Sequence, residues 1–263
     1  MSLRINTNVE AFNAHRNLEA TSTRLAKSME RLSSGLRINR AADDAAGLAI
    51  SEKLRGQVGG LNQARRNVQD GISLVQTAEG SLTEVHSMLQ RIRELAVQYQ
   101  NGTLSASDRA AISSEVAQLT DEIERIGTTA QFNNIRLLDG SAATIAFQVG
   151  ANDGEQISVS LVSLGSAVGT LSAASALSDI DAAIDAVSAQ RATFGAVQNR
   201  LEHTYNNLAT YQENLTASES RIRDIDMAAE MVNFTKNTIL QQAGTSMLAQ
   251  AQQAPQAVLS LLR

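Results

Sequence analysis

Apolar residues recur every seven positions through the first half of the chain, and this repeat limits the possible folds more than any other feature. The first row contains Leu61, Val68, Val75, Leu82, Leu89 and Ala96, and the second contains Ala78, Val85, Ile92 and Tyr99. Two such rows form the seam of a coiled-coil-like helix. The chain has one proline, which lies far from both rows. The repeat therefore predicts one helix from about Asp44 to Tyr99, roughly 80 Å long at ~1.5 Å per residue.

Two later repeats predict two more long helices. The first repeat follows a turn at "NGT" and a helix start at Ser105–Asp108, and contains Ile112, Val116, Leu119, Ile123 and Ile126. The second contains Val187, Phe194, Leu201, Leu208, Leu215 and Ile222. Three seams of this kind predict a mainly α fold, in which a long antiparallel helical-bundle rod occupies residues 44–224.

One β-hairpin is predicted near residues 144–162. Two β-branched runs, "TIAFQV" and "ISVSLV", are separated by "GANDGEQ", whose Asn, Asp and Gly residues tolerate the positive φ of a turn. A connector rich in small residues, "SLGSAVGTLSAASALS", follows the second run.

Both ends of the chain carry amphipathic helical patterns that predict paired coiled-coil helices. The N-terminal pattern contains Leu18, Leu25 and Leu32, and the C-terminal pattern contains Val232, Ile239, Met247, Val258 and Leu262. Residues 33–46 are rich in Gly, Ser, Asn and Asp and predict a joint. An isolated one-faced helix is marginal in water, because burying about ten apolar side chains (roughly 15–30 kcal/mol) does not offset a backbone ordering cost on the order of 40–70 kcal/mol. We therefore expect both ends to be loose in a single chain and to polymerise by packing against copies of themselves.

The composition and motifs disfavour catalysis. Cysteine is absent, which excludes disulfides and thiolate nucleophiles, and the net charge of −5 does not favour nucleic-acid binding. No apolar run reaches the ~18 residues of a membrane span, and there is no phosphate-binding loop, GxSxG or HExxH motif. We expect no enzyme activity, cofactor, metal, nucleic-acid partner or membrane partner. The start, "MSLRINTNVEAFNAH", has no secretory apolar region, which taken alone indicates the cytoplasm.

Long stretches at both ends resemble bacterial flagellin. The N-terminal stretches are "INTNVEAFNAHRNL", "RLSSGLRINRAADDAAGLAISEKL" and "NVQDGISLVQTAEGSLTEVHSMLQRIRELAVQ". The C-terminal stretches are "FGAVQNRLEHTYNNL", "ENLTASESRIRDIDMAAE" and "QQAPQAVLSLLR". The resemblance covers roughly residues 1–160 and 177–263, and the family's "GANDG" hairpin coincides with the predicted one.

The resemblance implies a structural subunit that polymerises into the extracellular flagellar filament for swimming. Residues 1–43 and 225–263 would form the inner tube, and the short connector implies a form without variable outer domains. Flagellins are exported without a cleaved signal peptide by a type III apparatus. An export chaperone would therefore bind the C-terminal helix, and filament cap and hook-junction proteins would be further partners.

The resemblance also implies a contact with the vertebrate Toll-like receptor for flagellin. Flagellins that activate this receptor share a "QRxRELAVQ" stretch, which is present here as Gln90–Gln98. The matching positions are Arg91, Leu95 and, on the second helix, Glu115. Arg91 could instead be a solvated residue or a subunit contact.

Two other functions are compatible with parts of the sequence. A hook–filament junction protein shares the terminal patterns, although the "SRIRDIDMAAE" and "QNRLEHTYNNL" stretches favour the filament subunit. A cytosolic coiled-coil scaffold would also show heptads, but it predicts ordered ends within a discrete oligomer.

Overall fold

A computed structural model describes residues 7–141, 143–161, 163–168 and 171–261, with the side chains of residues 166–167 and 254–261 left undescribed. The helices are α1 (Val9–Ser34), α2 (Ala45–Tyr99), α3 (Ala106–Thr129), α4 (Leu164–Val168), α5 (Leu177–Arg223) and α6 (Met227–Leu261). The strands are β1 (Gln131–Phe132), β2 (Ile135–Arg136), β3 (Thr144–Gln148) and β4 (Gln156–Ser160). The predicted mainly α class is confirmed.

The chain divides into two compact units. The terminal unit contains the described residues up to Gly56 and those from Leu215 onward, and the central unit is Gln57–Asn214. The boundaries predicted for the inner tube and the rod concern the assembled filament and stay predictions.

The core of the central unit is built from the heptad rows that the sequence predicts. Both rows on α2 are buried from Leu61 to Ala96, as are four members of the α5 row. Arg91, eight residues before the end of α2, pairs with Glu115, nine residues after the start of α3, so these two helices run antiparallel. Near the start of α5, Asp181 pairs with Arg93 of α2 at 2.6 Å. Leu201 of α5 lies near Gly71, farther towards the start of α2. The apolar repeat therefore positions all three helices around one core.

The helix start predicted at Ser105 is a capping box. The Ser105 side chain accepts a hydrogen bond from the Asp108 backbone N–H at 3.2 Å, and the Asp108 carboxylate accepts one from the Ser105 N–H at 3.1 Å. These bonds satisfy two backbone N–H groups that would otherwise lack partners at the start of α3.

The predicted hairpin is formed by β3 and β4, which pair antiparallel from Thr144↔Ser160 to Gln148↔Gln156. Its loop is held by Glu155, whose carboxylate accepts bonds from the backbone and side-chain N–H groups of Asn152 at 3.0 and 3.1 Å. These bonds lower the pKa of Glu155. A Cβ at Gly60 of α2 would lie 2.9 Å from that of Ala151, so the glycine permits the loop to approach the helix.

A second, shorter hairpin, which the sequence did not predict, is formed by β1 and β2. Gln131 pairs with Arg136 and Phe132 with Ile135. The two residues between them, Asn133 and Asn134, have φ values of 48° and 62°. Asparagine tolerates this left-handed region, which a two-residue hairpin turn requires.

Candidate assembly surface

Helices α1 and α6 of the terminal unit pack against each other along their length. On each helix the less exposed residues follow a four–three alternation, which is the spacing of a coiled-coil seam. The seam residues of α1 are Ala11, Ala14, Leu18, Thr21, Leu25, Ser28 and Leu32. Those of α6 are Glu230, Phe234, Asn237, Gln241, Gly244, Leu248 and Ala251. Small and polar side chains outnumber large apolar ones in both seams.

Three contacts fix the antiparallel register of this helix pair. The Asn8 side chain donates to the Ala251 carbonyl at 2.7 Å. A Cβ at Gly244 would lie 3.2 Å from Cδ1 of Leu18, so the glycine allows close approach of the two helices. At the other end, Arg31 lies 4.0 Å from the buried carboxylate of Glu230.

The opposite face of α6 is apolar and exposed. Val232 is 69% exposed, while Ile239 and Met247 are each 60% exposed. Met231, Val232, Ile239 and Leu240 also line an open groove with Thr235 and Lys236. On α1, Val9 and Phe12 are likewise exposed. A cluster of exposed apolar side chains such as the one that lines the α6 groove is typical of a protein–protein interaction surface.

The structure separates the predicted polymerisation residues into two groups. Leu18, Leu25 and Leu32 lie half-buried on the face of α1 that packs against α6. Val232, Ile239 and Met247 face away from α1 and are exposed. The side chain of Val258 is not described, and Leu262 lies outside the described residues. The leucines of α1, which we expected to be covered only by other copies of the chain, are therefore partly covered by α6 of the same chain.

The predicted joint contains a backbone pairing between two chain segments. Leu36 and Asp224 form an isolated antiparallel bridge. On either side of it, the Arg37 N–H donates to the Arg223 carbonyl at 2.7 Å, and the Ile225 N–H donates to the Gly35 carbonyl at 3.1 Å. Gly35 has a φ of 72° and ends α1, which explains the glycine at this position.

Asp43 is the most strongly perturbed carboxylate in this joint. Its Oδ1 lies 2.6 Å from the Lys27 ammonium. Its Oδ2 accepts hydrogen bonds from the Asn39 and Arg40 backbone N–H groups, each at 3.2 Å. The bond to Lys27, followed by that from Arg40, lowers the pKa of Asp43 from 3.8 to about 2.

We expect Asp43→Asn to lower the thermal stability of the terminal unit at neutral pH. Because the folded-state pKa is depressed, the stabilisation is complete above the ordinary pKa and is lost as the pH falls through about 2. The difference between parent and variant should therefore narrow as the pH falls below 3.8 and vanish only below about 2. Thermal unfolding followed by circular dichroism across this range checks the prediction. Lys27→Met, which leaves both backbone hydrogen bonds to Asp43, should lose less thermal stability than Asp43→Asn. A stability difference between parent and Asp43→Asn that is as large at pH 2 as at neutral pH would contradict the assignment.

The predicted receptor residues lie on α2 and α3 of the central unit. Nε and Nη2 of Arg91 donate to Oε1 of Glu115 at 3.0 and 2.9 Å, and Nη1 contacts Glu94 at 3.3 Å. These carboxylates, Glu115 foremost, raise the pKa of Arg91. Leu95 is only 2% exposed, so its expected place on an accessible surface is wrong. The apolar seam of α2 is wide enough to include Leu95 beside Ile92 and Ala96.

Among the described residues, no group of three or more His, Cys, Asp or Glu residues is arranged to hold a metal ion. None of the helices over those same residues combines the length and apolarity needed to cross a bilayer.

Comparison with known proteins identifies the family. A model described as the bacterial flagellin N-terminal helical region matches residues 5–143, and one described as the C-terminal helical region matches residues 177–262. Flagellin from Halalkalibacterium halodurans is 57% identical, with 98% of this chain and 99% of that protein covered. Flagellin from Bacillus subtilis is 51% identical, with 99% and 100% covered.

A solved structure also matches. The crystal structure of Bacillus cereus flagellin is 34% identical with a TM-score of 0.51, and the match covers 54% of this chain and 88% of that one. The relatives favour a filament subunit over the hook–filament junction protein and the cytosolic scaffold. This chain therefore belongs to the bacterial flagellin family and is a structural subunit of the extracellular filament with which bacteria swim.

Proposed function

We propose that the exposed apolar face of α6 is the surface on which subunits pack in the filament. Val232, Ile239 and Met247 would contact neighbouring copies together with Phe12 of α1. Leu18, Leu25 and Leu32 would act within the subunit by holding α1 against α6. The observation that carries this proposal is the exposure of the α6 row on the side opposite the seam. Each such side chain contributes about 1.5–3 kcal/mol when it leaves water.

The same proposal assigns residues 1–43 and 225–263 to the inner tube, residues 33–46 to the joint and residues 44–224 to the rod. The hydrogen-bonded crossing of Gly35–Arg37 with Arg223–Ile225 supports a joint at this position. The burial of the α2 and α5 heptad rows supports a rod that folds around its own core. Val258 and Leu262 would extend the polymerisation surface towards the C-terminus.

A cysteine placed on α6 tests the proposed surface directly, because the chain contains no other thiol. In an Ile239→Cys variant we expect rapid modification by a thiol reagent in dissociated subunits and strong protection in filaments. Leu248→Cys is the matched control on the same helix. Its side chain is already half-buried in the seam, so its reactivity should change less on assembly. Equal labelling of Ile239→Cys in subunits and filaments would refute the proposal.

We further propose how the chain reaches the filament. As a flagellin, it would pass unfolded through the flagellar type III apparatus without a cleaved signal peptide. An export chaperone would cover the apolar face of α6 beforehand, since an exposed apolar face favours aggregation. The filament cap and the hook-junction proteins would contact the assembling subunits.

We also propose that the chain has no catalytic activity, since its relatives are structural proteins.

A second proposal concerns the vertebrate Toll-like receptor for flagellin. Arg91, in the shared "QRIRELAVQ" stretch of α2, forms an exposed charged pair with Glu115 of α3, and this pair supports a receptor contact. Leu95 would act from beneath, by holding α2 in the core. We expect dissociated subunits to activate a receptor reporter cell line and intact filaments to leave it silent. Silent subunits would refute the proposal.

A further inference from the structure

Methionine is concentrated on the exposed helices of the terminal unit. The chain has six methionines, and four of them, Met29, Met227, Met231 and Met247, are between 48% and 60% exposed. Met29 lies on α1 and the other three lie on α6. Met88, on α2 of the central unit, is by contrast half-buried.

Two of these methionines belong to the proposed polymerisation surface. Met231 lines the α6 groove beside Val232, Ile239 and Leu240. Met247 lies eight residues beyond Ile239 and is as exposed as that residue. Lys236 is the charged residue that lines this groove. The thioethers are therefore open to solvent in an unassembled subunit and would be in an apolar contact after assembly.

We infer that this methionine set is an oxidation site that controls polymerisation of the free subunit. Hydrogen peroxide transfers one oxygen atom to a methionine sulfur: the O–O bond breaks, an S–O bond forms, the sulfur is oxidised by two electrons, and the remaining oxygen leaves as water. The product is a polar sulfoxide, which sulfoxide reductases convert back to the thioether. The inference rests on the proposed assembly surface and adds that methionine oxidation regulates packing at that surface.

The physical reason is the cost of burying the new oxygen. A sulfoxide is a strong hydrogen-bond acceptor, and burying it in an apolar contact without a donor is unfavourable. Oxidation would not disturb the α1–α6 seam, since none of the four methionines is among the seam residues. The folded subunit would therefore persist while its affinity for neighbouring copies falls.

The test compares polymerisation of hydrogen-peroxide-treated and untreated subunits by sedimentation, after the peroxide has been removed. For the parent chain we expect the critical concentration to rise about tenfold or more, since tenfold corresponds to ~1.4 kcal/mol. The fourfold variant Met29→Leu/Met227→Leu/Met231→Leu/Met247→Leu should assemble, because leucine has nearly the same volume. It should polymerise equally well before and after treatment, because leucine has no sulfur to oxidise. Met88→Leu is the matched control and should remain as sensitive as the parent.

Two further measurements keep the outcome decisive. Sulfoxide reductases added to the oxidised parent should restore its polymerisation, and this arm holds even if the leucine variant assembles poorly. Mass spectrometry locates the added oxygens. The inference is overturned if parent subunits oxidised at these four positions polymerise at the untreated concentration, or if the leucine variant loses polymerisation as the parent does.

The result can be separated from failure of the assembly surface itself. The double variant Val232→Asp/Ile239→Asp tests that surface without peroxide. If those charges block polymerisation but oxidation does not, only the methionine inference fails. If those charges leave polymerisation intact, the proposed surface fails first.

Discussion

Replacing Val232 and Ile239 together with aspartate should abolish filament formation and leave the folded subunit intact. The two residues lie two helical turns apart on α6, and both are exposed in the single chain. Their substitution therefore costs the subunit little. In the assembled filament the same positions would bury two carboxylates, and Lys236 of the same groove could neutralise only one of them. The remaining unpaired buried charge costs several kcal/mol.

Sedimentation and electron microscopy would measure this effect, with circular dichroism as the test of folding. We expect no filaments at concentrations at least about 1,000-fold above those that the parent requires, since each ~1.4 kcal/mol is a factor of ten. The matched control, Val232→Ile with Ile239→Leu, keeps the apolar surface and should polymerise. Filaments of the aspartate variant at the parent's concentration would show that this face is not buried between copies.

The second large effect is expected in the core of the central unit, where Leu201→Asp should prevent stable folding. Leu201 of α5 has no exposed surface. A Cβ at Gly71 of α2 would lie 3.4 Å from Leu201 and 3.3 Å from Phe147 of β3, so helix, helix and hairpin meet at this point. Truncating such a leucine to alanine costs about 2–5 kcal/mol, and a buried carboxylate adds a further desolvation cost.

Thermal and urea unfolding of the variants measures this cost. Asn199→Asp is the matched control, because Asn199 is exposed on the same helix two residues earlier. It should change the free energy of unfolding by less than about 0.5 kcal/mol. A Leu201→Asp chain that unfolds at the parent's midpoint would contradict the position of Leu201 in the core.

The sequence predicted the fold most fully where two helices pack against each other through apolar repeats. The rows beginning at Leu61 and Val187 predicted the buried faces of α2 and α5, because a large side chain every seven residues has no stable place except in a seam. The hairpin at residues 144–160 followed from β-branched runs around a turn sequence. Ser105 and Asp108 likewise predicted a helix start that the hydrogen bonds confirm.

Hydrophobicity alone did not show which face of α6 meets α1. The seam of α6 contains Asn237, Gln241 and Gly244, so it carries less apolar surface than the exposed face. The polar seam is instead recognised by its four–three spacing and by glycine, which allows close approach. Leu95 was misplaced because a matched motif carries no information on burial. The hairpin turn at Asn133–Asn134 could have been found from its two asparagines.

The paired segments at Leu36 and Asp224 have a mechanical consequence for a rotating filament. The two flanking hydrogen bonds, from Arg37 to Arg223 and from Ile225 to Gly35, join two antiparallel segments. Sliding one segment along the other therefore loads both bonds at once. Peeling the segments apart would instead break the bonds one after the other, which requires less force. The crossing should therefore resist tension that slides the two segments past each other and yield first to forces that peel them apart.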